Sequence, residues 1–392
     1  MSEALVIVDI FDTTLRDGAQ SLPEENQFPN HSKPEIANQI AQLGVGVIEA
    51  GFPITYSDAE EVREVAKSVG VTSYPCATWR NGKSIHSAPN GNQAPVIAGL
   101  SRTLPNDIDA AWDAVNGAFY PRIHTFISTD PEHMAKKFDG KTPDEVLVMG
   151  QTAVRHARSL VDEHPDATVE FSAEAASTTD WDYLERVIKM ATDEGADIVN
   201  LPDTVGQRNP FWMEKFYDRA IRWAHQTNPN IVISAHNHND LGLATANSLS
   251  LVSAAANYAN EQEQEISVQI ETAVCGLGER AGNADIFPVI AGLYKFSDDM
   301  PSDIEWRFNP HGSVRVANAV MSFAGLQVHR QSPIVGRDIN RHRSGIHSDG
   351  IIKGGHQIYT PFDPRFWGHE QDAVHEEGRY QGRAGRQAIS GS

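Results

Sequence analysis

The sequence predicts an α/β protein: a (β/α)8 TIM barrel with an appended, mainly helical C-terminal subdomain. Three observations carry this reading. Eight short apolar runs of strand type recur along the chain, most are followed by a stretch with helical spacing, and the alternation stops after Phe296. The runs are Leu5–Phe11, Gly46–Phe52, Pro95–Leu100, Arg122–Ile127, Thr168–Ser172, Asp197–Leu201, Ile231–Ala235 and Ser267–Val274. Helical spacing follows at Lys33–Leu43, Ala59–Val69, Asp107–Ala118, Thr142–Glu163, Trp181–Glu194 and Pro210–Gln226. A doubly wound sheet shows the same alternation, because periodicity does not reveal closure. Trp79–Gln93 is polar and rich in turn formers, so it reads as a loop before the third strand, at the face opposite the strands' C-terminal ends. Residues 1–295 therefore form the expected barrel and 296–392 a linker and subdomain. In the latter, Ser297–Asn309 reads as linker, Val314–Leu326 as helix, and Arg337–Gly355 as an irregular Gly- and His-rich stretch.

The 392 residues are 40% hydrophobic, ample for a large core, and carry a formal charge of -20. That charge repels phosphate backbones and anionic lipid, so neither nucleic acid nor membrane is an expected partner. An anionic small molecule must then be met by local cations and metal. Cys76 and Cys275 are the two cysteines, too few for a disulfide framework, and no apolar stretch approaches a membrane span. No signal peptide is read at the N-terminus, and the cytoplasm is the expected location.

Polar residues at the C-terminal ends of barrel strands converge on one mouth. Asp12-Thr13-Thr14-Leu15-Arg16-Asp17-Gly18-Ala19-Gln20 follows the first run and sets an arginine beside a hard oxygen ligand. His236-Asn237-His238 follows the seventh; since side chains on a strand repeat every two residues, both imidazoles share a face. Joined by Asp17 they make a two-His-one-carboxylate set that leaves coordination positions open. Glu49, His124, Glu174, Thr204 and the run Glu279-Arg280-Ala281-Gly282-Asn283 sit at or near other strand ends, and His347 lies between Gly345 and Gly350 in the tail. Each has a plainer reading on its own. Asp17 and Thr204 are good helix caps, Arg16 and Glu174 are ordinary solvated charges, His124 suits a satisfied core position, and Gly-x-His suits a surface turn.

With these residues in view, the chain resembles the DRE-TIM metallolyase superfamily, and within it the 2-isopropylmalate synthase branch. The resemblance rests on Asp12–Gln20, Val47–Pro53, Val96–Arg102, Arg122–Thr129, Val169–Glu174, Leu201–Gly206, His236–Asn247, Gly276–Asn283 and Ser344–Lys353. It implies a divalent metal (Mn, Mg or Zn), acetyl-CoA as co-substrate and a 2-oxo acid. It further implies ligands at Asp17, His236 and His238 with Asn283 at a fourth position, Arg16 on the keto oxygen, and Gln20, Glu49, His124, Ser172 and Thr204 as substrate-binding residues. The subdomain's His347 and Tyr359 match the family's active-site histidine and tyrosine, with Glu174 paired to the former. A homodimer, with a subdomain that reaches the partner's active site, is also implied.

The implied reaction is an acyl transfer of Claisen type, most simply 2-oxoisovalerate plus acetyl-CoA to 2-isopropylmalate and CoA, a step of leucine biosynthesis. Two departures bear on the choice of acid, because homocitrate, citramalate and benzylmalate synthases share the chemistry. Glu174-Ala175-Ala176-Ser177-Thr178 stands where the family has Glu-Asp-Ala-Gly-Arg, and Cys275 stands where it has Asn. The superfamily's lyases carry a cysteine in a Gly-Gly-Cys loop; the chain has Gly278-Glu279-Arg280 there, which disfavours a lyase or aldolase. Retention of the arginine, the ligands and His347 disfavours a non-catalytic paralogue. The chain ends soon after Gly382-Arg383-Ala384-Gly385-Arg386, where many relatives continue into a regulatory domain, so feedback by leucine is not expected.

Overall fold

The computed structural model describes residues 4–86, 93–342 and 344–370. Residues 87–92 of the segment Trp79–Gln93, residue 343 of Arg337–Gly355, and Gly382–Arg386 lie outside the described residues. Eleven strands are described: β1 (Leu5–Asp12), β2 (Val47–Gly51), β3 (Thr78–Arg80), β4 (Lys83–His86), β5 (Val96–Arg102), β6 (Pro121–Ser128), β7 (Thr168–Glu174), β8 (Ile198–Asp203), β9 (Val232–Asn237), β10 (Glu265–Thr272) and β11 (Asp303–Arg307). Eight of them run parallel in the order β1-β2-β5-β6-β7-β8-β9-β10, and β10 pairs back onto β1 over eight positions, from Leu5↔Glu265 to Asp12↔Thr272. That pairing closes the barrel and excludes the open doubly wound sheet.

Amphipathic helices cover the outside. Trp181–Asp193 begins at Asp180, whose carboxylate accepts from the backbone N–H of Asp182 and Tyr183, and it buries Leu184, Val187, Ile188 and Ala191 at helical spacing. Pro143–Val161 starts with a reciprocal capping box between Thr142 and Glu145. Alternate strand residues face these helices: Val169, Phe171 and Ala173 of β7 are fully buried in the apolar layer.

The opposite parity fills the barrel with polar groups. Arg122 Nη1 donates to Glu170 Oε2 at 2.9 Å and to Gln269 Oε1 at 2.7 Å, and Gln269 Nε2 donates to Glu170 Oε1 and Ser234 Oγ. Buried polar groups are tolerated only when paired, and this layer pairs across four strands.

Three segments differ from the sequence expectation. The described first part of Trp79–Gln93, expected as a loop, lies in the hairpin β3–β4, turned by Asn81 and Gly82, both at positive φ. Ser297–Asn309, expected as a linker, holds β11, which pairs in parallel with Leu5–Val8 of β1 and antiparallel with β3. Arg337–Gly355, expected to be irregular, holds the helix Gly345–Gly354, while the expected tail helix is found at Ser313–Phe323. The hairpin thus lies toward the N-terminal end of the barrel, on the side expected for Trp79–Gln93. In β11, Ile304 and Trp306 are buried and their neighbours are not, so alternate residues anchor the strand.

Trp306 sits opposite Val8 and Trp79. Trp306→Ala is expected to lower folding stability by about 3–5 kcal/mol, read by urea or thermal unfolding.

Candidate metal centre and mouth cavity

The residues after β1 form a tight turn, Thr14–Gly18, that presents Arg16 and Asp17 at the C-terminal mouth. Asp12 holds its entry by accepting from Thr14 N and Oγ1, both at 3.0 Å, and burial pushes the Asp12 carboxyl up to about 7. Glu49 of β2 lies beneath. It accepts from Arg16 Nε at 2.5 Å and from Thr13 Oγ1 at 2.7 Å, and its other oxygen meets His124 Nδ1 at 2.7 Å. Burial alone raises this carboxyl, but Arg16 and His124 outweigh it and hold Glu49 well below the usual carboxylate range. The second edge of Arg16 binds Asp17 Oδ1 at 2.8 Å. The guanidinium is therefore locked between two carboxylates.

Asp17, His236 and His238 converge, with one ligand atom of each within 4.8 Å of the others. The two imidazole Nε2 atoms face one another at 3.1 Å. His236 Nδ1 meets Glu271 Oε2 at 2.8 Å, which directs its Nε2 toward the shared point. Burial lowers the His236 pKa, yet Glu271 and Asp17 raise it above the ordinary imidazole value overall. Burial and the neighbouring His236 push His238 down to about 3. Asp17 is held below its usual range, since Arg16 and the two histidines overcome its burial.

Asn283 lies beside them, on the loop after β10. Its Nδ2 donates to Asp17 Oδ2 at 2.6 Å and to Leu277 O at 3.2 Å, while its Oδ1 is buried without a hydrogen-bond partner. The loop owes its close turn to Gly282 at φ +92°, where an added Cβ would lie 2.1 Å from Gly276 O. An orphaned carbonyl oxygen, two facing imidazoles and a carboxylate are the donors a divalent cation needs, and the residues present fit such an ion.

Above this centre opens a cavity of about 350 Å³ lined by Arg16, Asp17, Gln20, His124, Ser172, Glu174, Thr204, His236 and His238. All nine are among the residues that the strand ends or the family resemblance assign to the site. Glu49 reaches the cavity through Arg16 and His124. Thr204 also braces the backbone, since its Oγ1 accepts from Ala175 N at 2.9 Å and holds a residue at φ +63°. One wall is apolar, made by Phe52, Leu100, Phe126 and Pro202, with the Phe52 and Phe126 rings edge to face at 6.4 Å. Sequence reasoning missed this wall, together with Asn200, Glu271 and Lys137. Asn200 donates to Ser172 Oγ at 2.8 Å, and Ser172 Oγ also meets His124 Nε2 at 2.7 Å. Strand parity was the signal available for Asn200 and Glu271, which share the inward face with His124 and His236.

His347 and Tyr359 stack on each other in the tail, with centroids 4.1 Å apart and planes at 15°, and His342 lies alongside. Neither His347 nor Tyr359 lines the mouth cavity of its own chain. The Glu174 carboxylate is held by Ser128 and Lys137, in place of the expected histidine.

A family model described as HMGL-like matches residues 7–306. Curated relatives named 2-isopropylmalate synthase include that of Pyrococcus furiosus, 39% identical over 96% of this chain and 66% of its own length. That of Acidimicrobium ferrooxidans is 38% identical over 88% and 58%. The 2-isopropylmalate synthase 1 of Caldanaerobacter subterraneus subsp. tengcongensis is 39% identical over 91% and 79%. The chain thus spans about 58–66% of the length of the first two relatives. Among solved structures, an HMG-CoA lyase from Acinetobacter baumannii, in complex with coenzyme A and 3-methylmalate, aligns with a TM-score of 0.59 at 15% identity, covering 83% of this chain and 93% of its own. The HMG-CoA lyase of Brucella melitensis aligns at 0.54 and 16%, covering 81% and 97%. These likenesses bear on the fold.

Glu271→Gln removes the carboxylate that directs His236 and is expected to weaken divalent-cation binding roughly 10–100-fold, read by direct metal titration. Metal affinity of the unsubstituted chain should fall as pH drops through neutrality, because His236 keeps its proton to higher pH than a free imidazole and protons compete with the ion.

Proposed function

The chain belongs to the HMGL-like family, and from that premise we propose that it is an acyltransferase that condenses acetyl-CoA with 2-oxoisovalerate to give 2-isopropylmalate and CoA. The observation that carries this reading is the placement of Arg16, clamped by Glu49 and Asp17, beside a three-ligand centre and under an apolar wall suited to a branched side chain. The names of the curated relatives support the same acid.

Asp17, His236 and His238, with Asn283, would hold a divalent cation, which when bound supplies Lewis-acid polarisation of an oxygen ligand. Arg16 orients the 2-oxo acid and stabilises negative charge as it develops on the keto oxygen. Its fixed fork needs no reorganisation during the reaction. The acetyl-CoA methyl must lose a proton to form the new carbon–carbon bond, and His347, paired with Glu174 and assisted by Tyr359, is the base. Water then cleaves the thioester, releasing CoA thiol and the second carboxylate. Gln20, Glu49, His124, Ser172 and Thr204 shape the binding site around the acid. Mn, Mg and Zn all suit a mixed imidazole and carboxylate set.

Since His347 and Tyr359 do not line the cavity of their own chain, a homodimer supplies them: residues 296–392 of one copy serve the barrel, residues 1–295, of the other. Among the described residues no helix is long and apolar enough to cross a membrane, and we place the enzyme in the cytoplasm on the strength of its substrates.

The test is CoA thiol release from acetyl-CoA with a panel of 2-oxo acids, with Mn or Mg and again with chelator. Chelator-sensitive release, fastest with 2-oxoisovalerate, is expected. Preference for pyruvate, 2-oxoglutarate or an aryl-pyruvate would overturn the substrate, and silence with every acid would overturn the reaction. Arg16→Lys keeps the charge but loses the fork, and should lower kcat about 10²–10³-fold. Mixing inactive Arg16→Met and His347→Ala dimers should restore activity, because one site of each hybrid then has both groups; no recovery on subunit exchange would refute the shared site.

A further inference from the structure

Glu174 ends β7 at the cavity rim, and its main chain is already fixed. Its carbonyl accepts from Thr129 N at 3.0 Å and Thr129 Oγ1 at 3.2 Å, and the next residue, Ala175, turns away at φ +63°. Only the side-chain torsions remain free. Lys137 closes them: its Nζ lies 2.7 Å from Glu174 Oε1, 2.8 Å from Oε2 and 3.0 Å from Ser128 Oγ. Ser128, the cross-strand partner of Glu174, donates to Oε2.

Most ion pairs of half-exposed lysines contribute little, because the long side chain must be ordered to make them. Here the root of the lysine is ordered independently. Lys137 closes the helix Pro131–Lys137, which Asp130 caps, and it lies between Met134, buried in the core, and Phe138, packed against it. Lys137 itself does not line the cavity, so it meets the mouth through Glu174.

We propose that Lys137 is a positioning residue for the condensation. Its ammonium holds the Glu174 carboxylate turned toward the mouth, so that the carboxylate accepts the N–H of the imidazole that removes the acetyl-CoA methyl proton. The inference rests on the condensation proposed above and makes Lys137 the group that aligns that base. A carboxylate oxygen has two lone pairs, so Glu174 can accept from an imidazole while retaining Lys137 and Ser128.

Lys137→Met is expected to lower kcat roughly 10–100-fold, the scale of a misaligned catalytic group. KM for the 2-oxo acid and the unfolding midpoint should stay close to those of the unsubstituted enzyme. Lys137→Arg should recover much of the loss, and added ethylammonium should partly rescue Lys137→Ala. In the double variant with Glu174→Gln, loss of Lys137 should cost nothing further. Multiplicative losses in the double variant, or a raised KM for acetyl-CoA at unchanged kcat, would overturn the assignment, the latter making Lys137 a rim cation for the co-substrate. Full activity in Lys137→Met overturns the positioning role and leaves the condensation standing, whereas silence of the unsubstituted enzyme across the acid panel overturns both.

Discussion

A fully buried carboxylate, Glu49, is the constraint around which the mouth is arranged. Unpaired, such a charge costs several kcal/mol, so the fold must bring it donors from other strands. Arg16, Thr13 and His124 supply them. Because Arg16 is then committed, Asp17 is drawn to its other edge, and the turn after β1 has one acceptable arrangement. His124 carries the constraint onward through Ser172 to Asn200, linking β2, β6, β7 and β8 in one chain of hydrogen bonds. Replacing any one member leaves its buried neighbour short of a partner, which is why such networks resist partial change.

The same arrangement separates positioning from chemistry. Glu49 and Glu271 are each buried and each contact a group at the centre, one the arginine and the other His236. Neither faces the cavity. They set direction and charge for the groups that do, so the centre is organised before any ligand arrives. An environment fixed in advance spends no energy on reorientation as charge develops.

Much of this was legible in the sequence, for physical reasons. Strand parity put His236 and His238 on one face, and strand ends located Arg16, Asp17 and Glu174. The hidden parts depended on register and on distant pairing. Glu170, Gln269 and Glu271 alternate with apolar residues, a pattern that equally fits a half-solvated strand; closure of the ring turned their face inward. β11 is five residues long, and its partner lies almost three hundred positions upstream. The Asn81-Gly82 pair is a hairpin signal that the polar, turn-rich residues around it obscure. In Gly345–Gly354 three glycines disfavour a helix, and burial of Ile351 compensates. Ala175 and Cys275, two of the positions that depart from the family pattern, both occupy left-handed conformations, at φ +63° and +54°, where Asp and Asn sit with less strain.

The closure of β1 also sets an order of events as the chain is made. Before β10 and β11 emerge, β1 is joined only near its end, where Ile10 O accepts from Gly46 N and Phe11 and Asp12 pair with Val47 and Ile48 of β2. Its remaining partners begin at Glu265. At a synthesis rate of about 5–20 residues/s, an apolar strand edge stays open for tens of seconds. Such an edge invites pairing with another nascent chain. The acidic residues at Glu3, Asp9 and Asp12 flank and interrupt the run, placing charge where that premature pairing would start.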